Sequence, residues 1–401
     1  MKYRLGDIIE FNPKEKLSKG KKYKKISMEM LQPYKKYIEN YTEEEYKGGS
    51  KFRNGDTLLA RITPCLENGK TAQVNELEEN EIGFGSTEFI VMRAKIERSD
   101  KDFIYYLSIN KEFRNIAIKS MTGTSGRQRA QIDVLKDTIM DLPEYNEQVK
   151  IAKILSSIDK KIQLNNKINN NLYKLLYIMF RECFGNKKED DNWKKIMLKD
   201  LISVRGGLAY KASLLSDNID DNILVSMGNV ELNTIFNFSN LKYYKENVEN
   251  KYLGNVGDLF ICTRDVTQKR NQLGCPGIIP KLFKDRKVII GTNLYIVNIL
   301  NSNENIKNFL YLLMNSSEYR ERIIGSAKGT AVLMITKDDI LNFEFYFPKD
   351  KKILDNFNNK VTPIFEKIEN TIIENDRLSN LRNTLLPKLM NGEIDLDKIE
   401  I

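Results

Sequence analysis

Ile151-Ala152-Lys153-Ile154-Leu155-Ser156-Ser157-Ile158-Asp159-Lys160-Lys161-Ile162 returns an apolar residue every three or four positions. Ile151, Leu155, Ile158 and Ile162 continue into Asn165, Asn169, Leu172, Leu176, Met179 and Cys183, so spacings of four and three alternate along one helical face. From Glu144 to Gly185 there is no proline, and Gly185 is the first glycine, suited to stop a helix. At 1.5 Å per residue such a helix reaches about 60 Å. A stripe of that length has to be buried against something.

A similar seam stands far downstream. Val361, Ile364, Ile368, Asn375, Leu378, Leu385 and Leu389 lie on one face, with Thr371 and Arg382 at its weaker steps, before Asn391-Gly392. Pro363 lies early in this stretch, so the helix either starts afresh there, capped by Thr362, or kinks. The economical arrangement packs the two stripes together as an antiparallel coiled coil. Asn at seam positions then fixes register at some cost in stability. The plainer alternative turns Asn165 and Asn169 to solvent as the seam drifts.

The sequence around these helices is written twice. Leu5-Gly6-Asp7-Ile8 is answered by Leu198-Lys199-Asp200-Leu201, and Gly55-Asp56 through Arg61 by Gly257-Asp258 through Arg264. Four further matches share one offset of 206 residues: Thr87 to Val91 with Asn293 to Val297, Phe103 to Leu107 with Phe309 to Leu313, Glu112-Phe113-Arg114 with Glu318-Tyr319-Arg320, and Gly123-Thr124 with Gly329-Thr330. A period this long is duplication of a whole domain with its linker, not a solenoid repeat. The early part of each copy carries short alternating runs, at Asp56 to Ile62, Glu88 to Arg93, Asp258 to Thr263 and Thr292 to Leu300, which read as strands. Residues 101–119 and 304–324 read as amphipathic helices. The expected fold is α+β and pseudo-two-fold: heads of small mixed sheet plus helices at 1–143 and 187–348, spacer helices at 144–186 and 349–392, and a tail at 393–401.

Composition excludes much. The chain has 401 residues, 41% hydrophobic and 30% charged, in the range of a globular protein with two or three domains. No apolar run approaches the ~20 residues of a membrane helix. Nothing near Met1 resembles a signal peptide, so a cytoplasmic protein without membrane contact is expected. Zero histidines exclude Ser-His-Asp and Cys-His chemistry and zincin sites within the chain. Cys65, Cys183, Cys262 and Cys275 form no C-x-x-C pair, so neither a zinc site nor a disulfide framework is expected. The 64 basic against 55 acidic residues, a net +9, suit a polyanionic partner, although a Lys-rich codon bias yields the same sum.

Two heads at the ends of a helical rod suit a long repetitive target, and double-stranded DNA, with one turn per ~34 Å, fits. Reading bases takes Arg, Lys, Asn, Gln, Ser or Thr in loops close to the grooves. Head one offers Arg61-Ile62-Thr63-Pro64 with Asn68-Gly69-Lys70-Thr71, and a loop from Ser120 to Arg129 bearing Thr124, Ser125, Arg127 and Arg129. Head two offers Arg205 to Lys211, including Tyr210, then Thr263 to Gln272 with Arg264, Thr267, Lys269 and Arg270, then Ser326 to Thr330 with Lys328. Gly-Thr loops are also ordinary surface loops, and Arg61 and Arg264 could simply cap a sheet edge. Recurrence at matching places in both copies favours function.

These features together resemble the DNA-specificity subunit of type I restriction-modification systems. The resemblance spans nearly the whole chain. It rests on Leu5-Gly6-Asp7-Ile8, the Gly55-Asp56 strand, the Gly123-Thr124 loop, Leu142-Pro143-Glu144-Tyr145-Asn146-Glu147-Gln148 leading into the first seam, and Leu381-Arg382-Asn383-Thr384-Leu385-Leu386-Pro387 near the end. It implies two target-recognition domains, each reading half of a split, asymmetric DNA site, and two antiparallel helices that set the spacer. It also implies two methyltransferase subunits, and restriction subunits in the full nuclease, as partners. S-adenosylmethionine, ATP and Mg²⁺ would belong to those partners, with no cofactor, metal or catalytic residue in this chain. No Asn-Pro-Pro-aromatic motif or G-x-x-x-x-G-K-[ST] loop occurs; Asn12-Pro13-Lys14 lacks the second proline. One departure is Pro348-Lys349-Asp350-Lys351-Lys352, which lacks the counterpart of Glu147-Gln148.

Two other classes compete. A DNA-cutting or methylating enzyme would draw on carboxylate pairs such as Asp220-Asp221 and Asp338-Asp339, which also read as solvated turns or helix starts. A coiled-coil scaffold with protein-binding heads would hold partners and ignore DNA.

Overall fold

The computed structural model describes residues 1–185, 191–266, 270–300, 306–330 and 332–398. Its contacts divide the chain into two compact units, Met1–Leu164 with Arg377–Ile401, and Asn165–Asp376. The division falls inside both long helices, Tyr145–Phe184 and Lys351–Met390. The contacts therefore do not separate heads from free-standing spacers, as the sequence-based partition does. Half of each helix is part of a head's own hydrophobic core.

In the first unit the central four-stranded sheet has the order Ile9–Phe11, Phe89–Ala94, Thr57–Ala60, Thr71–Gln73. A second sheet runs Thr42–Glu45, Lys22–Ile26, Gly83–Gly85, Ser50–Phe52, with the Lys22–Ile26 and Gly83–Gly85 pair parallel. Strand alternation sends neighbouring side chains to opposite faces. Leu58 and Val91 accordingly join the core between the sheets with Ile26 and Phe52. Leu59 and Ile90 face Phe103, Tyr106, Ile151, Leu155, Leu386 and Leu389.

The second unit repeats this plan. Its central sheet has the order Ile202–Gly206, Leu294–Ile299, Leu259–Cys262, Pro276–Ile278. Its second sheet runs Lys242–Tyr244, Asn222–Val225, Val288–Ile290, Leu253–Gly254, again with one parallel pair, and adds Leu215–Ser216 at the edge. That extra edge strand has no counterpart in the first copy. Ile261 faces the long helices, while Phe260 and Cys262 face the other sheet. Two copies of one topology in one chain establish the duplication.

The helical stretches expected at 101–119 and 304–324 are each broken in two. Asn110 ends Lys101–Ile109 and caps Lys111–Lys119, its side chain accepting from the Glu112 and Phe113 amides. Ser316, 206 residues on, does the same between Lys307–Asn315 and Ser317–Ser326, accepting from the Tyr319 amide. Residues 304 and 305 lie outside the described residues. A side chain that satisfies orphan N–H groups makes a sharp turn cheaper than one long helix there. Seven consecutive residues, Phe103–Ile109, are buried, so the first of these helices is not amphipathic.

Within each unit the two long helices run antiparallel. Toward the end of the first helix the buried face moves one residue off the expected seam, from Leu172, Met179 and Cys183 to Tyr173, Phe180 and Phe184. In the second unit, Leu176, Phe180 and Phe184 pack with Phe357, Val361, Phe365 and Ile368. Asn165 donates from Nδ2 to Asn375 Oδ1 at 2.8 Å and to Glu374 Oε2 at 2.9 Å, and Asn375 donates to Asn166 Oδ1 at 2.8 Å. Asn165 and Asn169 are buried rather than solvated. Ile162, Leu172, Ile364, Leu378 and Leu385 are half-buried at the flanks, and Ile158 is buried. The second helix begins at Lys351 and runs through Pro363, so it does not start afresh there. Asp350 supplies its N-terminal cap by accepting from the Lys352 amide at 2.9 Å, where the first helix uses Glu147 against the Glu144 amide at 3.0 Å. The C-terminus closes at Gly392, φ +70°, with Glu393 N–H on Lys388 O and Gly392 N–H on Leu389 O, a Schellman arrangement.

The seam of the first unit is polar where that of the second is apolar. Arg382, at a weak step of its seam, donates from Nη1 to Asp159 Oδ1 at 2.7 Å, with both side chains buried. Tyr106 Oη donates to Asp159 Oδ2 at 2.6 Å. Lys36 reaches Ser156 Oγ at 2.6 Å and Asp102 Oδ1 at 2.8 Å. Burial pushes the Lys36 ammonium below its ordinary value while Asp102 pulls the other way. An offset of 206 turns Asp159, Tyr106 and Arg382 into Phe365, Leu312 and Leu176, all in one apolar cluster. Lys36 becomes Ile235, matched by the backbone bonds Gln73 N to Lys36 O and Ile278 N to Ile235 O, both 2.8 Å.

Among the described residues no helix is long and apolar enough to cross a membrane. Cys65 and Cys183 are half-buried, Cys262 and Cys275 fully buried. Burial pushes the Cys262 thiol up to about 12 and the Cys275 thiol to about 11. The thiolate is the reactive form. Iodoacetamide at pH 8 is therefore expected to alkylate Cys65 and Cys183 in the native protein and the other two only after unfolding. Peptide mass mapping reads this directly, and equal labelling of all four would contradict the packing of the second head.

Candidate nucleic-acid interface

In the first head the strand Thr57–Ala60 passes into Arg61, whose N–H donates to Glu88 O at 2.9 Å and whose carbonyl accepts from Ala130 N–H at 2.8 Å. Thr63 N–H donates to Gln128 O at 3.0 Å. The loop from Ser120 to Arg129 contains a hairpin closed by Thr122 and Arg129, which exchange backbone hydrogen bonds of 3.1 and 2.9 Å. The two candidate loops of this head are thus stitched side by side. Thr122 to Gln128 are exposed. Gly126, φ +76°, is the third residue of the turn closed by Arg127 N–H on Thr124 O at 2.9 Å, a position where positive φ selects glycine.

The second head repeats the stitching. Thr263 N–H donates to Asn293 O at 2.9 Å and its carbonyl accepts from Ile335 N–H at 3.1 Å. Lys328 and Met334 exchange bonds of 2.9 and 2.8 Å, and Arg264-Asp265 pairs with Met334-Leu333. Gly329 has φ +111°, and a Cβ there would sit 2.1 Å from Val332 O, so only glycine fits the tip. These bonds correct two matches. Glu88, not Thr87, corresponds to Asn293, so the strands Phe89–Ala94 and Leu294–Ile299 match at an offset of 205 rather than 206. Thr263, not Arg264, takes the place of Arg61, and Arg264 stands where the first head has Ile62. The sequence match hid this because Gly-Asp to Arg is one residue longer in the second copy.

The expected DNA-contacting residues divide into two groups. Thr124, Ser125, Arg127, Lys211, Arg264, Arg270, Lys328 and Thr330 are exposed. Arg129, Lys70, Thr63 and Arg205 are engaged within the protein. Arg129 forms a two-pronged pair with Glu88, Nη2 to Oε1 at 2.7 Å and Nε to Oε2 at 3.0 Å. Lys70 Nζ donates to Met28 O at 3.0 Å and Thr63 Oγ1 to Glu67 Oε1 at 2.8 Å. Arg205 is held by Asn298 Oδ1 at 2.9 Å and Leu253 O at 3.2 Å. Arg61 is half-buried, its Nε without an acceptor. Tyr210 packs edge-on to Tyr244 with centroids 6.5 Å apart, beside the second sheet. Thr267 and Lys269 lie outside the described residues.

Arg, Lys and Thr near strand ends meet backbone and carboxylate acceptors first, and composition does not reveal which stay free. Three structural residues went unrecognised in the sequence. Asp265, buried, clasps its loop by accepting from Gln272 N–H at 2.8 Å. Arg114 and Arg320 are buried against the loops that leave the central strands. Their signal was present in the matched Glu112-Phe113-Arg114 and Glu318-Tyr319-Arg320 triplets, where it served only to align the copies.

Residues 1–174 match the family model described as "Type I restriction modification DNA specificity domain". Over 423 residues the chain is 23% identical to the specificity subunit of the type I restriction enzyme HindI of Haemophilus influenzae, covering 89% of this chain and 90% of that protein. Over 417 residues it is 23% identical to the MjaVIII specificity subunit of Methanocaldococcus jannaschii, covering 98% and 92%. The crystal structure of a type I restriction-modification S subunit from M. genitalium superposes with a TM-score of 0.55 at 15% identity, covering 97% of this chain and 96% of that one, a likeness of fold.

Proposed function

We infer, for a chain that belongs to the family of type I restriction-modification specificity subunits, that it binds a bipartite, asymmetric DNA sequence and directs its partner enzymes to it. The observation that carries this reading is the pair of stitched loop patches. They stand at equivalent places in two copies of one fold yet present different side chains: Thr124, Ser125, Arg127 and Gln128 in one, Arg264, Lys328 and Thr330 in the other. Like scaffolds with unlike tips suit two unlike half-sites. The reading heads would be residues 1–143 and 187–348.

The chain is a specificity subunit, not an enzyme in its own right. Methylation and cleavage would be the work of two methyltransferase subunits and of restriction subunits, which would bring S-adenosylmethionine, ATP and Mg²⁺. The methyltransferases would dock along the long helices, where Ile168, Leu175 and Ile178 are 43%, 44% and 47% exposed on one face of the first helix. The complex would work beside the genome, in the cytoplasm.

Mapping methylated adenines genome-wide with and without the gene tests the reading. One split motif should vanish with the gene; a methylome that does not change would refute it. In gel-shift titrations of the assembled complex, Arg127→Ala and Lys328→Ala are each expected to weaken binding to that motif by about 1–3 kcal/mol, roughly 5- to 150-fold, if the side chain reads a base. A loss equal on random DNA would instead make it a phosphate contact.

A further inference from the structure

Arg114 and Arg320 stand 206 residues apart at the same step of matched helices. Each follows its capping residue by one turn, with Arg114 N–H on Asn110 O at 3.0 Å and Arg320 N–H on Ser316 O at 2.9 Å. They are 5% and 9% exposed. Burying a guanidinium is costly, and the usual compensation is a carboxylate. The bonds recorded here go mainly to loop carbonyls. Arg114 donates from Nη2 to Leu66 O, lies 3.4 Å from Thr71 Oγ1 through Nη1, and stacks 5.2 Å from the Tyr34 ring centre. Arg320 donates from Nη1 to Leu273 O and from Nη2 to Arg270 O and Asn271 O, both at 3.0 Å.

Those carbonyls belong to stretches that brace or carry the exposed reading candidates. Leu66 lies between Arg61 and Lys70, a stretch that Thr63 N–H ties to Gln128 O at the exposed tip, and Arg270 is itself exposed. Arg270 has φ +54°, a left-handed backbone conformation that costs any residue bearing a Cβ energy and needs its surroundings to hold it. Arg320 grips the carbonyl of that same residue. A five-donor planar fork can pin several carbonyls at fixed angles, which an ammonium cannot.

We propose that Arg114 and Arg320 are positioning residues for DNA reading: each fixes the stretch that follows strand Thr57–Ala60 or Leu259–Cys262 of its head, and so sets that head's half-site preference without touching DNA. The proposal rests on the bipartite-reading function above. Each arginine acts on one head only, which gives it a signature that general damage lacks.

The test uses the full chain assembled with its methyltransferase subunits, carrying Arg114→Gln or Arg320→Gln, and reads methylation motifs and binding to DNA with single changes in either half. Each variant is expected to lose roughly tenfold or more of the discrimination in one half, a different half for each, with the other half unchanged. The salt dependence of binding should stay as in the parent, since no phosphate contact is removed. Arg114→Lys and Arg320→Lys keep the charge and most of the packed stem, and should lose the same half-site preference; they are the variants to read if the Gln forms do not accumulate. Unchanged discrimination in the Lys forms, equal loss in both halves, or a shallower salt slope would each overturn the proposal. Absence of any split motif in the parent complex would instead strike at the DNA-reading function itself.

Discussion

Arg382→Leu is expected to destabilise the first unit by about 3–5 kcal/mol, because it leaves the Asp159 carboxylate buried without its cation. Asp159 and Arg382 side chains are 4% and 6% exposed and meet at 2.7 Å. The remaining partner recorded for Asp159 is the Tyr106 hydroxyl at 2.6 Å, a neutral donor. For a unit of this size the loss corresponds to a drop of roughly 10 °C in its unfolding transition. The second repeat supplies the control. There the equivalent places hold Leu312, Phe365 and Leu176 in an apolar cluster. The combination Tyr106→Leu, Asp159→Phe, Arg382→Leu should therefore recover most of the loss, since a buried ion pair replaced as a whole by packed hydrocarbon is often neutral or stabilising. Calorimetry decides it: a silent Arg382→Leu would mean that water already solvates the pair.

Phe184→Ala is expected to cost about 3–5 kcal/mol in the second unit, the range for removing a buried aromatic ring. Phe184 ends the first long helix. Its ring centre lies 4.8 Å from those of Phe309 and Phe357, 5.3 Å from Phe180 and 5.8 Å from Trp193. The contacts with Phe309, Phe357 and Trp193 are edge-on, a geometry that adds to the burial energy, and here one ring ties both long helices to the helix Lys307–Asn315. Trp193 is the chain's one tryptophan and is buried, so its fluorescence reports on this cluster. Phe184→Ala should shift Trp193 emission to the red in the folded protein and lower the denaturant midpoint followed at that wavelength. Arg382→Leu, which alters the first unit, should leave native Trp193 emission as it is. A cavity variant with parental midpoint and emission would show that the cluster collapses to refill the space.

Periodic features were legible in the sequence because they rest on local rules. The seam from Ile151 to Asn169 was readable since an α-helix brings every third and fourth residue to one side whatever it packs against. Beyond it, the choice of Phe180 and Phe184 over Met179 and Cys183 was made by the aromatic cluster they join. Leu58-Leu59 and Phe260-Ile261 were readable as strand pairs because alternation divides them between two cores. Asn110 and Ser316 were overlooked as breaks because a single cap residue leaves almost no periodic trace. The division of candidate arginines was hidden for another reason. Arg127 and Arg129 are two residues apart in one loop, and only the nearness of Glu88, from another part of the chain, makes one a structural pair and leaves the other exposed.

From the order of residues alone came the duplication, the antiparallel helix pair and the resemblance to the specificity subunits, because each rests on repetition or spacing that survives without coordinates. Folding in three dimensions settled the rest: that Arg382 finds Asp159, that Thr263 and not Arg264 stands in for Arg61, and that buried Arg114 and Arg320 grip the loops. Those outcomes depend on which distant acceptor lies within about 3 Å of a donor, a quantity that sequence separation does not encode.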